Sequence, residues 1–148
     1  MDEKLREQIG SIIGDVPDLT IATVRPDGFP QATTVSYAND GLTIYFMTAA
    51  DGQKALNIAR NDKVSLAIDR PYRNWDEIES LSMGARATIV SDPEEFEKAG
   101  QLLMAKFPQA EEHAPPEEIE LAIVRIEPAV ISLIDYRKGF GHTERVEV

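Results

Sequence analysis

The stretch from Gly28 to Asn61 carries the densest run of structural signals in the chain, because it reads as strand, tight turn, strand, loop and short helix. Its turn is Asn39-Asp40-Gly41, in which glycine supplies the positive φ that a hairpin needs. After the turn, apolar residues follow the two-residue period of a strand, at Leu42, Ile44 and Phe46. The chain then breaks and restarts as a helix near Gln53. A hairpin that runs directly into a helix predicts antiparallel strands with a helix at their end.

The start of this helix is a candidate anion site. The first turn of a helix carries unpaired N–H groups, and the helix dipole adds partial positive charge there. Lys54 lies in this turn, Gln53 beside it can donate hydrogen bonds, and Thr48 offers a hydroxyl at the end of the incoming strand. Together they predict a phosphate pocket. The alternative is an ordinary helix start, with Asp51 as the N-cap and Lys54 in solvent.

Length and charge narrow the class of protein. The 148 residues, 43% of them hydrophobic, predict a single domain, residues 1–148, with one core. No apolar run approaches the ~20 residues of a membrane helix, and the polar N-terminus does not resemble a signal peptide, so we expect a cytoplasmic protein. A net charge of −11 opposes binding to nucleic acid or to anionic membranes. A phosphate ligand would therefore need a locally positive site.

The rest of the chain adds strands and two further helices. Helical spacing predicts a first helix over residues 2–14, and Asp92-Pro93 begins another, with a capping-box Glu and a solvated acidic first turn at Glu94, Glu95 and Glu97. Within a predicted strand, Gly84 and Ala85 indicate a bulge or a close approach of another backbone. The predicted strands cover residues 19–25, 31–38, 42–47, 64–68, 80–90, 121–126 and 130–134. This order favours a mainly β (α+β) antiparallel barrel of about six to seven strands with flanking helices.

Two aromatic segments have open roles. The loop that contains Trp75, the only tryptophan, either flanks a ligand or packs as an anchor. The segment Arg137–His142 mixes basic, aromatic and glycine residues, so it lies near a ligand, on a partner subunit or on the protein's own surface. His113 lies among acidic residues and is expected to be solvated.

The sequence lacks the usual catalytic motifs. It contains no GxSxG, HExxH or phosphate-loop pattern, no cysteine and only two histidines. We expect no metal site. If the protein is an enzyme, a bound cofactor carries the chemistry. A flavin fits, because it needs a phosphate site and apolar walls and needs no protein nucleophile.

The order of these motifs resembles the pyridoxamine 5′-phosphate oxidase-like split barrels that bind flavin mononucleotide (FMN). Met47-Thr48 takes the place of the family's Tyr-Thr pair, and Gly52-Gln53-Lys54 takes the place of Ser-Arg-Lys. Asn61-Asp62 stands for Asn-Pro, and the strand Thr33–Tyr37 stands for Arg-x-Val-Leu-Leu. The resemblance extends over residues 19–136 and is closest to the general-stress-protein type.

The resemblance implies a split barrel, FMN as cofactor and a homodimer with two equivalent flavin sites. It assigns Lys54 and Gln53, with Thr48, to the FMN phosphate. It places Thr33, Thr34 and Val35 along the isoalloxazine edge, and Met47 next to Thr48. The implied activity is an FMN-dependent oxidoreductase that exchanges electrons between reduced nicotinamide, or another donor, and a small-molecule substrate.

Two departures from the family pattern bear on function. Thr33 and Gln53 stand where the oxidase carries arginines, so the phosphate site is less cationic. The oxidase's C-terminal Arg-x-His is also absent, which argues against pyridoxamine phosphate as the substrate. The alternatives are a non-catalytic module that holds FMN, a deazaflavin or haem for sensing or a stress response, and a dimeric scaffold with an empty cleft. Haem would need His113 or His142 as its axial ligand.

Overall fold

The computed structural model describes residues 1–148, which form three α-helices and eight strands. The helices are α1 (Glu3–Asp15), α2 (Gln53–Arg60) and α3 (Pro93–Lys106). The strands are β1 (Asp18–Val24), β2 (Pro30–Ser36), β3 (Ala38–Asp40), β4 (Thr43–Ala49), β5 (Lys63–Asp69), β6 (Glu79–Ile89), β7 (Leu121–Asp135) and β8 (Thr143–Glu147). Short 3₁₀ helices cover Trp75–Glu77, Pro108–His113 and Tyr136–Lys138.

All the strands belong to one antiparallel sheet. Seven of them follow the order β2-β1-β5-β6-β7-β4-β3, and β8 pairs with β7 beside this path. The sheet curls into a half-barrel, so that β2, at one end of the path, comes to lie next to β4 without pairing to it. The predicted split barrel with flanking helices is confirmed.

Strand β7 corrects the prediction of two separate strands at residues 121–126 and 130–134. It is continuous over 15 residues, and the register with β6 shifts between Gly84 and Ala85, which leaves Ala129 as the extra residue of a bulge. Pro128 adjoins this bulge, where a missing backbone donor is tolerated. The first half of β7 pairs with β4 and the second half with β8. A register shift does occur at the predicted Gly84 and Ala85, but the extra residue belongs to β7 and not to β6.

The main core lies inside the curled sheet, and α1 closes one end of it. Asp2 caps α1 by accepting a hydrogen bond from the Leu5 N–H, and three isoleucines of the helix are fully buried. The buried tyrosine Tyr37 donates from its hydroxyl to the carbonyl of Ile13 at 2.7 Å, so a carbonyl in the last turn of α1 is satisfied. The largest fully buried core side chains include Tyr37, Phe46, Ile9, Ile12, Ile13, Ile21, Ile44, Ile68, Leu81 and Ile126.

A cluster of charged side chains attaches the C-terminal segment to the barrel. Two carboxylates, Glu79 and Asp135, are 8% and 1% exposed. Arg137 donates to Asp135 at 3.0 Å and to Glu79 at 2.8 Å, and Arg70 donates to Glu79 at 2.9 Å. Gln8 of α1 donates to both carboxylates, at 2.7 and 2.9 Å. Because Arg137 donates to it, the pKa of Asp135 falls to about 2. None of the helices is both long and apolar enough to span a lipid bilayer.

Candidate functional site

The junction of β4 and α2, which we call the α2 corner, contains Thr48, Gln53 and Lys54. Helix α2 begins here without a side-chain cap. Gly52 is the N-cap residue and supplies no side chain, so the expected alternative of Asp51 as the N-cap is wrong. Asp51 lies one residue too early and is exposed. The N–H groups of Gln53, Lys54 and Ala55 have no acceptor within the chain. Three donors therefore converge at the positive end of the helix dipole.

Gly52 allows the strand and the helix to approach each other closely. A Cβ atom at this position would lie 3.2 Å from the carbonyl oxygen of Ala49 and 3.8 Å from the hydroxyl oxygen of Thr48. Glycine is therefore the residue that fits here without displacing the turn. The hydroxyl of Thr48 consequently lies next to the open helix terminus, as the sequence predicts.

Lys54 differs from the other cations of the chain. It is half-buried, and it makes neither an ion pair nor a hydrogen bond. The other half-buried cations all have partners: Arg25 contacts Asp27, Arg70 and Arg125 contact acidic side chains, and Lys106 donates to a backbone carbonyl. Lys54 is thus the one partly desolvated positive charge without a counterpart, and it lies in the first turn of α2.

A buried polar network fixes the position of α2. Gln53 donates to the side-chain oxygen of Asn57 at 2.8 Å, and Asn57 donates to Thr23 at 3.0 Å and to Gln31 at 3.2 Å. Asn57 and Thr23 are each 1% exposed. The side chain of Gln53 therefore helps to hold the helix on β1 and β2, in addition to any contact with a ligand. The sequence analysis missed Asn57, although an asparagine between the apolar residues Ala55 and Ile58 was the available signal.

The second part of the site is a groove of about 910 Å³ between β2, β4 and α3, which we call the α3 groove. Three predicted residues, Thr34, Val35 and Met47, line it, whereas Thr33 does not. Met47 and Thr48 are neighbours in a strand, so their side chains point to opposite faces. The full lining is Thr34, Val35, Ser36, Met47, Glu97, Gly100, Gln101, Leu103, Met104, Phe107, Gln109 and Ala110.

The α3 wall of this groove is fixed to the sheet by Glu95. The Tyr45 hydroxyl donates to Glu95 at 2.8 Å, and Arg125 donates to it at 2.6 Å. Burial, together with the hydrogen bond to Glu95, raises the pKa of Tyr45 to about 12, and Arg125 lowers the pKa of Glu95. The predictions of a solvated Glu95 and of a capping box are therefore wrong. The N-cap Asp92 is correct and accepts from the Glu94 N–H at 3.2 Å.

The two aromatic segments pack against each other and contribute no residue to the α3 groove. Phe140 packs against Tyr136 and Trp75, with ring centroids 5.4 and 6.4 Å apart. Trp75 is 65% exposed and lines no part of the α3 groove. The C-terminal segment contacts its own chain through Arg137 and β8, while Phe140 stays 84% exposed. His113 is exposed, as expected.

Comparison with known proteins gives the family. The family model described as pyridoxamine 5′-phosphate oxidase matches residues 4–135. The chain belongs to this family. A search of curated proteins finds no significant match.

Several solved structures are similar to this member of the pyridoxamine 5′-phosphate oxidase family, and their names describe different proteins. A conserved hypothetical protein of Mycobacterium tuberculosis is 27% identical, with a TM-score of 0.78, over 97% of this chain and 91% of that chain. A haem-binding protein of Mycobacterium smegmatis is 16% identical, with a TM-score of 0.81, over 99% of this chain and 59% of that chain. A haem storage protein of Vibrio cholerae is 16% identical, with a TM-score of 0.69, over 82% of this chain and 88% of that chain. At 16% identity, the similarity to these last two structures shows a shared fold and no more.

Proposed function

We propose that this protein binds FMN and acts as an FMN-dependent oxidoreductase. The observation that carries the proposal is the α2 corner, where three N–H groups without an acceptor and the unpartnered Lys54 belong to the same helix turn. A phosphate monoester supplies the negative charge and the acceptor oxygens that this corner lacks. The flavin ring would lie along β2, which carries Thr33, and in the α3 groove, beside Thr34, Val35 and Met47.

The residues of the site bind and orient the cofactor. A bound flavin supplies hydride and electron transfer, so the chain needs no nucleophile of its own. Lys54 neutralises the phosphate charge, and Thr48 and the helix N–H groups donate to its oxygens. Asn57 holds the helix in position for these contacts. The electron donor would be reduced nicotinamide or another small molecule.

A non-catalytic binding module is the second candidate, and the haem-binding structural neighbours support it. Haem needs an accessible axial ligand, most often a histidine nitrogen. The Nε2 atom of His142 is buried without a hydrogen-bond partner and lies 4.0 Å from Glu144. Only His113 presents an exposed imidazole, at the end of a 3₁₀ helix. The accessible His113 is therefore the candidate axial ligand if this chain binds haem.

We also propose that two copies of the chain form a homodimer with equivalent sites. Strand β2 pairs on one side only, and the α3 groove beside it is open. A second copy that covers this side would shield a flavin ring from water. Sedimentation equilibrium of the FMN-loaded protein should give about twice the mass of the chain, 16.4 kDa. A monomer at micromolar concentration would contradict this assembly.

Titration with FMN and riboflavin tests the proposed function, because the two ligands differ only in the phosphate. We expect FMN to bind at least about tenfold more tightly, as a charge-assisted phosphate contact requires. The absorption spectrum of the freshly purified protein should show flavin bands. Oxidation of reduced nicotinamide by the FMN-loaded protein separates the oxidoreductase from the non-catalytic module. Equal affinity for riboflavin, or a Soret band in place of flavin bands, would overturn the assignment.

A further inference from the structure

The buried polar network of α2 is centred on Asn57, which is 1% exposed, whereas the other buried residues of the helix are apolar. An apolar side chain at this position would attach the helix by burial alone and would avoid the cost of desolvating an amide. The amide of Asn57 instead has partners on both sides: its oxygen accepts from Gln53, and its nitrogen donates to Thr23 and Gln31. Because hydrogen bonds are directional, they fix where the helix lies along the strands.

The two acceptors of Asn57 belong to neighbouring strands. Thr23 of β1 and Gln31 of β2 are directly opposite each other in the strand register, so their side chains lie on the same face of the sheet. The hydrogen bond from Asn57 to Gln31, at 3.2 Å, is the one side-chain hydrogen bond between α2 and β2. Strand β2 otherwise joins the sheet only through β1. The network is therefore the polar connection between the helix and this edge strand.

The two ends of the network coincide with the two parts of the proposed cofactor site. Gln53 is the first residue of α2 and belongs to the α2 corner. On β2, Thr33 and Val35 follow Gln31 at the two-residue spacing that places side chains on one face of a strand. Asn57 thus joins the helix turn that would hold the phosphate to the strand that would border the flavin ring.

We propose that Asn57 is a positioning residue that fixes the place of the α2 corner relative to β2, and so selects ligands that carry a ring and an anionic group at one separation. The ligand part of this inference rests on the proposed function, whereas the connection between α2 and β2 is a property of the free protein. A ligand that occupies both places gains from their fixed separation, because its second contact forms with little further loss of freedom. A ligand that occupies only one place gains nothing from it.

Gln31→Leu tests the connection without any ligand, because it removes the acceptor on β2 and leaves the other two hydrogen bonds of Asn57 in place. The reporter is the Leu56 N–H, which donates to the carbonyl of Gly52 at 3.1 Å and closes the first turn of α2. Amide hydrogen exchange at this group in the free protein should become at least about threefold faster, because the helix loses one of its attachments.

Two further variants serve as controls for the exchange measurement. Gln31→Glu keeps an acceptor oxygen for Asn57 and should keep the wild-type rate. Asp18→Ala removes the hydrogen bond from Ser36 to Asp18, which links β2 to β1 at 2.7 Å without involving α2. It should leave the exchange rate at the Leu56 N–H unchanged.

A double-mutant cycle on FMN binding tests the ligand part. Gln31→Leu should weaken FMN about fivefold, as expected for one neutral hydrogen bond, and leave riboflavin affinity within about twofold. In the Lys54→Ala background the same substitution should weaken FMN less than about twofold, because the corner then holds the phosphate less firmly. Gln31 and Lys54 share no hydrogen bond or ion pair, so a purely structural role of Gln31 would make the two effects add.

Unchanged exchange at the Leu56 N–H in Gln31→Leu, or additive effects of the two substitutions on FMN binding, would overturn the inference. Equal weakening of FMN and riboflavin would also overturn it, since it would show damage to the ring strand. The proposed function fails separately: a wild-type protein that binds no FMN, while Gln31→Leu still speeds exchange, keeps the connection and loses the flavin assignment. A wild-type protein that prefers FMN, although Gln31→Leu has no effect, keeps the assignment and loses the connection.

Discussion

Replacing Asp135 with Ala should lower the free energy of unfolding by about 3 kcal/mol, because the substitution breaks a buried ion pair from one side. Asp135 is 1% exposed and accepts hydrogen bonds from Arg137 and Gln8. Its removal leaves those donors, and the neighbouring Glu79, in a partly buried cluster with fewer partners. Urea unfolding at pH 7 followed by circular dichroism measures the change. Asp69→Ala is the control, because Asp69 is an exposed carboxylate without an ion pair, and it should cost less than about 0.5 kcal/mol.

The carboxyl group of Asp135 should also make the free energy of unfolding fall at low pH. The pKa of Asp135 is lowered from 3.8 to about 2, with the hydrogen bond from Arg137 as the largest cause. A depressed pKa in the folded state means that the stabilisation is complete above pH 3.8 and is lost as the pH falls through about 2. The loss should be about 2 kcal/mol. Asp135→Asn keeps the shape of the side chain and should remove this part of the pH dependence, so an unchanged acid profile in that variant would contradict the prediction.

Replacing Lys54 with Ala should weaken FMN binding by roughly 10- to 100-fold, which corresponds to the loss of a hydrogen bond to a charged group, ~1.5–3 kcal/mol. Lys54 makes no ion pair and no side-chain hydrogen bond within the chain, so the substitution removes no polar interaction of the fold. Fluorescence titration should show the loss for FMN and leave riboflavin affinity within about twofold. Lys63→Ala removes another unpaired lysine, exposed on β5, and provides the matched control. Unchanged FMN affinity in Lys54→Ala would exclude this lysine from the site.

The sequence predicted the parts of the site that are close along the chain. Thr48, Gln53 and Lys54 lie within seven residues, so a strand, a turn and a helix start are enough to bring them together. The hairpin turn was equally local, since Gly41 has a φ of 61° as the turn requires. The strand at Leu121–Asp135 was divided wrongly because Pro128 is usually a strand breaker, and only its position at a bulge makes it harmless.

Contacts between distant elements were not accessible in this way. The α3 groove forms because the curled sheet brings Thr34 and Val35 next to Met47 and α3, and no local pattern encodes that closure. Glu95 has the sequence context of a solvated helix start, yet Tyr45 and Arg125 bind it from two other elements. Asn57 likewise finds partners on β1 and β2 that are 34 and 26 residues away.

Strand β2 is attached to the sheet only through β1, and the opposite wall of the groove belongs to β4 and α3 near the other end of the strand order. The width between these walls therefore depends on the twist at each strand pair from β1 to β4. A small change in twist at each pair accumulates at the opening. Packing residues in the middle strands, such as Leu66 and Met83, thus influence the size of molecule that can enter, although they never touch it.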